Sequence, residues 1–101
     1  MIQKNLTGKQ KRFLRSMGVT MDPVVMIGKE GVTPTVVQAA REAVKKRELI
    51  KVRVLQNAEL EPEEAVTMLA ERAGTALVQV IGRNGLLYRR NPEKPKIELP
   101  K

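Results

Sequence analysis

The sequence contains neither histidine nor cysteine. Imidazole general bases, thiolate nucleophiles, disulfides and the usual zinc sites are therefore excluded. Serine and aspartate each occur once, as Ser16 and Asp22, so no Ser-His-Asp triad can be assembled. These absences predict a protein that is not an enzyme and that uses no metal and no cofactor.

Aromatic residues and long apolar runs are also scarce. Phe13 and Tyr88 make up the whole 2% of aromatics, which argues against a nucleic-acid surface built on base stacking. The longest uncharged apolar stretch, residues 73–82, has about half the length that a membrane-spanning helix requires. No apolar signal segment follows the N-terminal Met1. We therefore expect a soluble cytoplasmic protein with no membrane partner.

Positive charge is what the chain has in excess. Nineteen Lys and Arg stand against eleven Asp and Glu, a net charge of +8 in 101 residues, which is the length of one domain. Residues 1–57 contain twelve of the basic and four of the acidic residues, whereas residues 58–101 contain seven of each. This balance favours an anionic partner, namely nucleic acid, an acidic membrane surface or an acidic protein. The first half of the chain is expected to build the surface that meets it.

The first predicted helix covers about residues 8–18 and is strongly basic. Thr7 and Gln10 have the spacing of a capping box, and Phe13, Leu14 and Met17 recur at helical spacing as its apolar side. Its other sides carry a cluster of positive charge with no acid among it. The members of this cluster are Lys9, Lys11, Arg12 and Arg15.

Two further helices have clear start and stop signals. Thr33-Pro34 combines an N-cap with proline at the first helical position and opens a helix that continues to about Arg47. The next helix begins in the glutamate-rich segment 59–64, where the helix dipole favours anions, and Gly74 is its expected C-terminal cap.

Four segments have strand patterns. The wholly apolar run 24–27 predicts a buried strand. Residues 49–55 alternate, with Lys51 and Arg53 on one basic face. Residues 76–81 form the third strand and 86–90 the fourth, joined by a tight turn expected at Asn84-Gly85.

The resulting order is α-β-α-β-α-β-β. It predicts a single-domain α/β fold with a mixed four-stranded sheet, because helical crossovers imply parallel pairing and the last hairpin adds an antiparallel strand. The domain is expected to span residues 1–91. Residues 92–101, rich in proline, are predicted to be an irregular tail, to which no role is assigned.

The loop Gly28-Lys29-Glu30-Gly31 has a composition suited to phosphate. Glycines permit positive φ and close approach of the backbone, the helix that opens at Thr33 offers its N-terminal amides, and Lys29 supplies a cation. A strand–GxxG–helix unit clamps the sugar-phosphate backbone in KH domains. The spacing alone is weak, and a second GxxG at residues 82–85 is better explained as a hairpin turn.

Four blocks resemble a known family: LTGKQKRFLR (residues 6–15), PVVMIGKEGVT (23–33), ELIKV (48–52) and VQVIG (78–82). They are similar to the YhbY-like proteins, stand-alone members of the CRM domain family, named for chloroplast RNA splicing and ribosome maturation. The resemblance covers about residues 5–90. It implies a domain related to the C-terminal domain of translation initiation factor three, RNA binding through a GxxG loop, and association with the precursor of the large ribosomal subunit.

Charge, spacing and resemblance together predict an RNA-binding protein with ribosomal RNA as its partner and no small-molecule substrate. The expected RNA-binding residues are Lys9, Lys11, Arg12, Arg15, Gly28, Lys29, Glu30, Gly31, Thr33, Lys51 and Arg53. The second loop position, often neutral or amide-bearing in the family, is Glu30 here, and a carboxylate beside a phosphate would repel it. Two alternatives remain open from the residues: a sequence-neutral DNA or nucleoid protein, and an enzyme acting on a phosphorylated small molecule.

Overall fold

The helices and strands follow one another in the predicted order. The computed structural model describes residues 6–101, so residues 1–5 of the expected domain lie outside its description. The elements are α1 (Gly8–Gly18), β1 (Pro23–Ile27), α2 (Pro34–Arg47), β2 (Leu49–Val54), α3 (Pro62–Ala73), β3 (Ala76–Ile81) and β4 (Asn84–Tyr88). The α/β class and the mixed four-stranded sheet are confirmed. Within residues 6–101, no helix combines the length and apolar character needed to cross a bilayer.

Local capping signals fix the helix ends. The Thr7 hydroxyl accepts from the Gln10 amide, and the Gln10 side chain accepts from the Thr7 amide, so the predicted capping box is present. Thr33 caps α2 ahead of Pro34, and Gly74 ends α3 in the left-handed conformation at φ 75°. Each signal involves residues close together in sequence, which is why the sequence alone predicts it.

The strand order differs from the simplest expectation. The sheet runs β1-β2-β4-β3, with β1 parallel to β2 and β4 antiparallel to both of its neighbours. The expected parallel pairing of β2 with β3 is therefore wrong, because β4 lies between them. Four of the five residues of β4 are buried, whereas β3 ends in the exposed Ile81. The burial of β4 follows from its interior position, because by composition β3 is the more apolar of the two strands.

Two apolar cores lie on opposite faces of this sheet. Helices α2 and α3 cover one face and enclose a core centred on Ile27, Ile50, Val52 and Leu69. Helix α1 covers part of the other face, packing on β2 and β3, and encloses a smaller core that contains Leu14 and Tyr88. The second face is less completely covered, and this leaves room for exposed side chains on it.

Two apolar patterns predicted more burial than the structure shows. On α1, Leu14 is buried, but Phe13 and Met17 remain 38% and 37% exposed, because the helix meets the sheet along a narrow stripe. On β1, Val25 is buried, but Met26 is 47% exposed. The prediction of a wholly buried strand is wrong because β1 lies at the edge of the sheet, where α1 does not cover its outer face.

The β3–β4 hairpin turns two residues earlier than predicted. The turn is formed by Gly82 and Arg83, with Gly82 at φ 58°, and Asn84 and Gly85 already pair with Ile81 and Val80. A Cβ on Gly85 would lie 2.5 Å from Cγ1 of Val66, a residue of α3. The glycine at position 85 therefore allows α3 to approach β4 closely. The Asn84-Gly85 pair belongs to the strand and does not form the turn.

The C-terminal segment has no helix or strand after Tyr88, but it is anchored. The wholly buried Glu48 carboxylate accepts from the backbone amides of Asn91, Lys96 and Ile97 at 2.6, 2.8 and 2.7 Å. Ile97 also packs against the smaller core. The segment thus crosses the end of the sheet at which β2 begins.

Candidate nucleic-acid interface

The GxxG loop joins the end of β1 to the start of α2. The Gly31 amide donates to the Gly28 carbonyl at 3.0 Å, which closes a tight turn with Lys29 and Glu30 exposed at its tip. Gly31 has φ 79°, a conformation that disfavours other residues, and apart from its two chain neighbours no heavy atom lies within 4 Å of the position its Cβ would take. Gly28 does not have positive φ, so only one of the two glycines uses the freedom expected of both. The backbone at Gly31 faces open space.

The helix behind the loop presents its N-terminus to the same region. The Thr33 hydroxyl accepts from the Val36 amide at 3.1 Å, and the Thr33 amide donates to the Gly31 carbonyl at 3.1 Å. Thr33 therefore fixes the loop to the first turn of α2, and its own hydroxyl proton can still be donated to an anion. The positive end of the α2 dipole therefore lies directly behind the GxxG loop, whose backbone a phosphate can approach.

Residues distant in sequence support this loop. The Leu55 amide donates to the carbonyl of Ile27, the residue before the loop, at 2.8 Å. The Arg83 guanidinium donates to the Val54 and Leu55 carbonyls at 2.8 and 2.6 Å. These residues could not be predicted from the sequence, since nothing local indicates that the 82–85 hairpin meets the end of β2.

The structure brings together only some of the expected basic residues. Arg15 on α1 and the half-buried Lys51 on β2 line one cleft of about 150 Å³. Arg53 is exposed and pairs in register with Met26, two residues before the loop begins. These three residues lie on the face of the sheet that α1 covers only in part.

The N-terminal half of the basic helix lies elsewhere. Gln10 donates through its side chain to the Pro100 carbonyl, so this end of α1 meets the C-terminal segment. That segment is anchored where β2 begins, whereas the loop lies where β1 ends. Lys9 is exposed and Lys11 half-buried at this more distant part of the helix, and Arg12 is exposed between the two ends.

Metal chemistry is not indicated in the described part of the chain. Among residues 6–101, no group of three or more His, Cys, Asp or Glu side chains is placed to hold a metal ion. The glutamates that crowd the start of α3 include Glu63 and Glu64 in its first turn, where they interact favourably with the helix dipole.

The chain also matches a known protein family over most of its length. The model of the CRS1 / YhbY (CRM) domain matches residues 6–89, from α1 through β4. The chain belongs to the CRM domain family. The resemblance carried by the four sequence blocks is therefore confirmed, and the matched region contains both the GxxG loop and the basic helix.

Two relatives and one solved structure align with the chain over nearly their whole length. "Probable RNA-binding protein YqeI" of Bacillus subtilis is 44% identical over 95 residues, which cover 94% of this chain and 99% of that protein. "RNA-binding protein" of Haemophilus influenzae is 35% identical over 95% of this chain and 96% of its own. The solution structure of the hypothetical protein SAV1595 from Staphylococcus aureus matches with a TM-score of 0.80 at 44% identity, covering 95% of this chain and all of that one.

Proposed function

We propose that this CRM-domain protein binds RNA through its GxxG loop and acts in assembly of the large ribosomal subunit, in the cytoplasm and without catalysing a reaction. The observation that carries the proposal is the open backbone at Gly31, set between the exposed Lys29 and the capped N-terminus of α2. This arrangement matches what a sugar-phosphate backbone requires.

The sheet face beside the loop extends the phosphate-binding surface. Arg53 on β2 lies beside β1 near the loop, and Lys51, farther from the loop on β2, lines a cleft together with Arg15 of α1. Arg12 lies on the same helix as Arg15. Long cationic side chains at such positions hold successive phosphates and fix the orientation of the RNA without reading its sequence. The names of the relatives from Bacillus subtilis and Haemophilus influenzae support RNA as the ligand.

The choice of ribosomal RNA comes from the family resemblance. For stand-alone bacterial members that resemblance implies association with the precursor of the large subunit, and the chain aligns with such small proteins along 94% of its length. Crosslinking in living cells, followed by sequencing of the attached RNA, tests this choice. We expect fragments of large-subunit precursor RNA from the native chain and a marked loss of them from Lys29→Ala. Recovery of unrelated RNAs in their place would contradict the assembly role.

Competition between matched RNA and DNA duplexes tests the choice of nucleic acid. The 2′-hydroxyl is the chemical difference between the two, and RNA is expected to displace DNA. Equal competition would favour the alternative of a sequence-neutral DNA-binding protein.

A further inference from the structure

A second basic surface begins directly behind the GxxG loop and runs along α2, on the face of the sheet opposite to α1. Its first part is a groove of about 450 Å³ between α2 and α3, whose lining includes Val32, Pro34, Arg41 and Arg72. Arg72 donates to the Val32 carbonyl at 3.0 Å, and Arg41 donates to the Arg72 carbonyl at 2.9 Å. Hydrogen bonds thus link Val32, the residue after the loop, to the exposed Arg72, and Arg72 to the exposed Arg41.

The groove continues into a second depression, because Arg41 lines both. This cleft, of about 360 Å³, lies between the C-terminal half of α2 and the segment after β4. Arg41, Lys45, Arg89 and Arg90 line it, against one acidic residue, Glu93. The distance from the loop to this cleft is close to the length of α2, which is roughly 20 Å for its 14 residues.

The walls of the cleft are held in place by specific contacts. The Arg89 amide donates to the Glu48 carbonyl at 2.9 Å, and the Asn91 amide donates to the Glu48 carboxylate at 2.6 Å. The Asn91 side-chain oxygen accepts from the amides of Glu93 and Lys94 at 2.9 and 3.1 Å. The backbone that carries Arg89 and Arg90 is therefore already ordered, and a ligand has to order only their side chains, which favours binding.

Helix electrostatics accounts for only part of this charge. Lys45 lies in the last turn of α2, where a cation stabilises the helix dipole. Arg89 and Arg90 belong to no helix, and yet they line the same cleft. Convergence of cations from two separate segments on one groove is typical of a surface that tracks a polyanion.

We infer that an RNA strand held at the GxxG loop continues along this groove, with its phosphates contacting Arg72, Arg41, Lys45 and Arg90. The inference rests on the proposed RNA binding at the loop and adds a second arm to it, beyond the basic helix and the loop that the sequence indicates. The footprint on RNA is therefore longer than the loop alone would give.

The length of the RNA provides the test. A short single strand of about four nucleotides, the number that a GxxG loop clamps in KH domains, reaches the loop only, whereas one of about twelve also reaches the cleft. In fluorescence titrations of the full chain, Lys45→Gln/Arg90→Gln is expected to weaken the long RNA severalfold and to leave the short RNA unchanged. Lys94→Gln/Lys101→Gln removes the same charge from residues that line neither depression, and we expect it to leave both affinities near those of the native chain.

Each other result is decisive. Equal losses from the two double variants would overturn the groove and leave only the general effect of charge. Unchanged binding of the long RNA by Lys45→Gln/Arg90→Gln would also overturn it, while leaving RNA binding at the loop intact. If the native chain binds neither RNA, the groove and the proposed function fail together. Circular dichroism melting of all variants shows whether a loss of binding reflects loss of the fold.

Discussion

Glu30 is the residue whose charge opposes the proposed ligand. It lies exposed at the tip of the loop next to Lys29, so a phosphate bound there meets one favourable and one unfavourable charge. We expect Glu30→Asn to tighten binding of a short RNA by up to about fivefold, which is the scale of a single exposed charge interaction. Glu98→Gln removes an exposed carboxylate from the tail and serves as the matched control. Weaker binding by Glu30→Asn in the same titration would show that the carboxylate has a favourable role.

Tyr88 gives the fold a dependence on alkaline pH. Burial in the smaller core raises the pKa of its hydroxyl above 10.0; the nearby Glu48 carboxylate raises it further, while Arg90 lowers it. A raised pKa means that the native state favours the protonated form. Its contribution to stability is therefore complete below the unfolded pKa and is lost as the pH rises through the folded pKa.

The substitution Tyr88→Phe tests this dependence. The hydroxyl has no hydrogen-bond partner in the described part of the protein, so we expect its removal to leave stability at neutral pH unchanged or slightly higher. Urea denaturation of both proteins from neutral pH to about pH 11 measures the difference. The native chain is expected to lose more stability than the variant above pH 10, and parallel curves would contradict this account.

At the scale of elements, Glu48 holds the C-terminal segment to the junction of α2 and β2. One carboxylate oxygen accepts from the Lys96 and Ile97 amides and the other from the Asn91 amide. Glu48→Gln replaces one acceptor by an NH₂ group that faces an N–H donor. We expect a loss of about 1–3 kcal/mol in the free energy of unfolding, together with faster hydrogen exchange at the amides of Asn91, Lys96 and Ile97. Glu98→Gln, on the exposed part of the same segment, should change neither quantity.

Elements defined by neighbouring residues were predictable, and contacts between distant residues were not. The capping signals at Thr7 and Thr33 and the glycine cap at Gly74 act within a few residues, so all three helices could be read from the sequence. The position of β4 between β2 and β3 depends on contacts across the whole sheet, and composition does not indicate it, since β3 is the more apolar of the two strands. Gly85 illustrates the same limit, since its neighbour Val66 belongs to α3.

The candidate site divides in the same way. The sequence identifies the loop because its glycines, Lys29 and the following helix cap are contiguous. The sequence does not reveal that Arg83 supports the end of β2. It also does not reveal that Glu48, a residue type that is usually exposed, is fully buried and has a positive backbone φ of 65°. The sequence also indicates no role for Arg89 and Arg90. They come close to α2 because the Arg89 amide donates to the carbonyl of Glu48, about forty residues away in the chain.

At the scale of the whole molecule, the net charge of +8 acts through separate surfaces on a body of 39 × 25 × 22 Å. The basic helix lies on one face of the sheet, the α2 groove on the other, and the loop at the edge where β1 ends. A strand of RNA that crosses several of these cations releases a counterion at each phosphate contact. Affinity that depends on such contacts falls steeply with salt.

The salt dependence of RNA affinity in the native chain and in two variants tests the central claim, that the GxxG loop clamps phosphate. With five or six phosphates in contact, the log–log slope is expected to be roughly −4 to −5. Lys29→Ala should weaken binding severalfold and reduce the magnitude of the slope by about 1, for all RNA sequences alike. Lys94→Ala removes the same charge from the exposed tail and should leave both quantities nearly unchanged. A nearly flat dependence in the native chain, or equal effects of the two substitutions, would contradict the clamp.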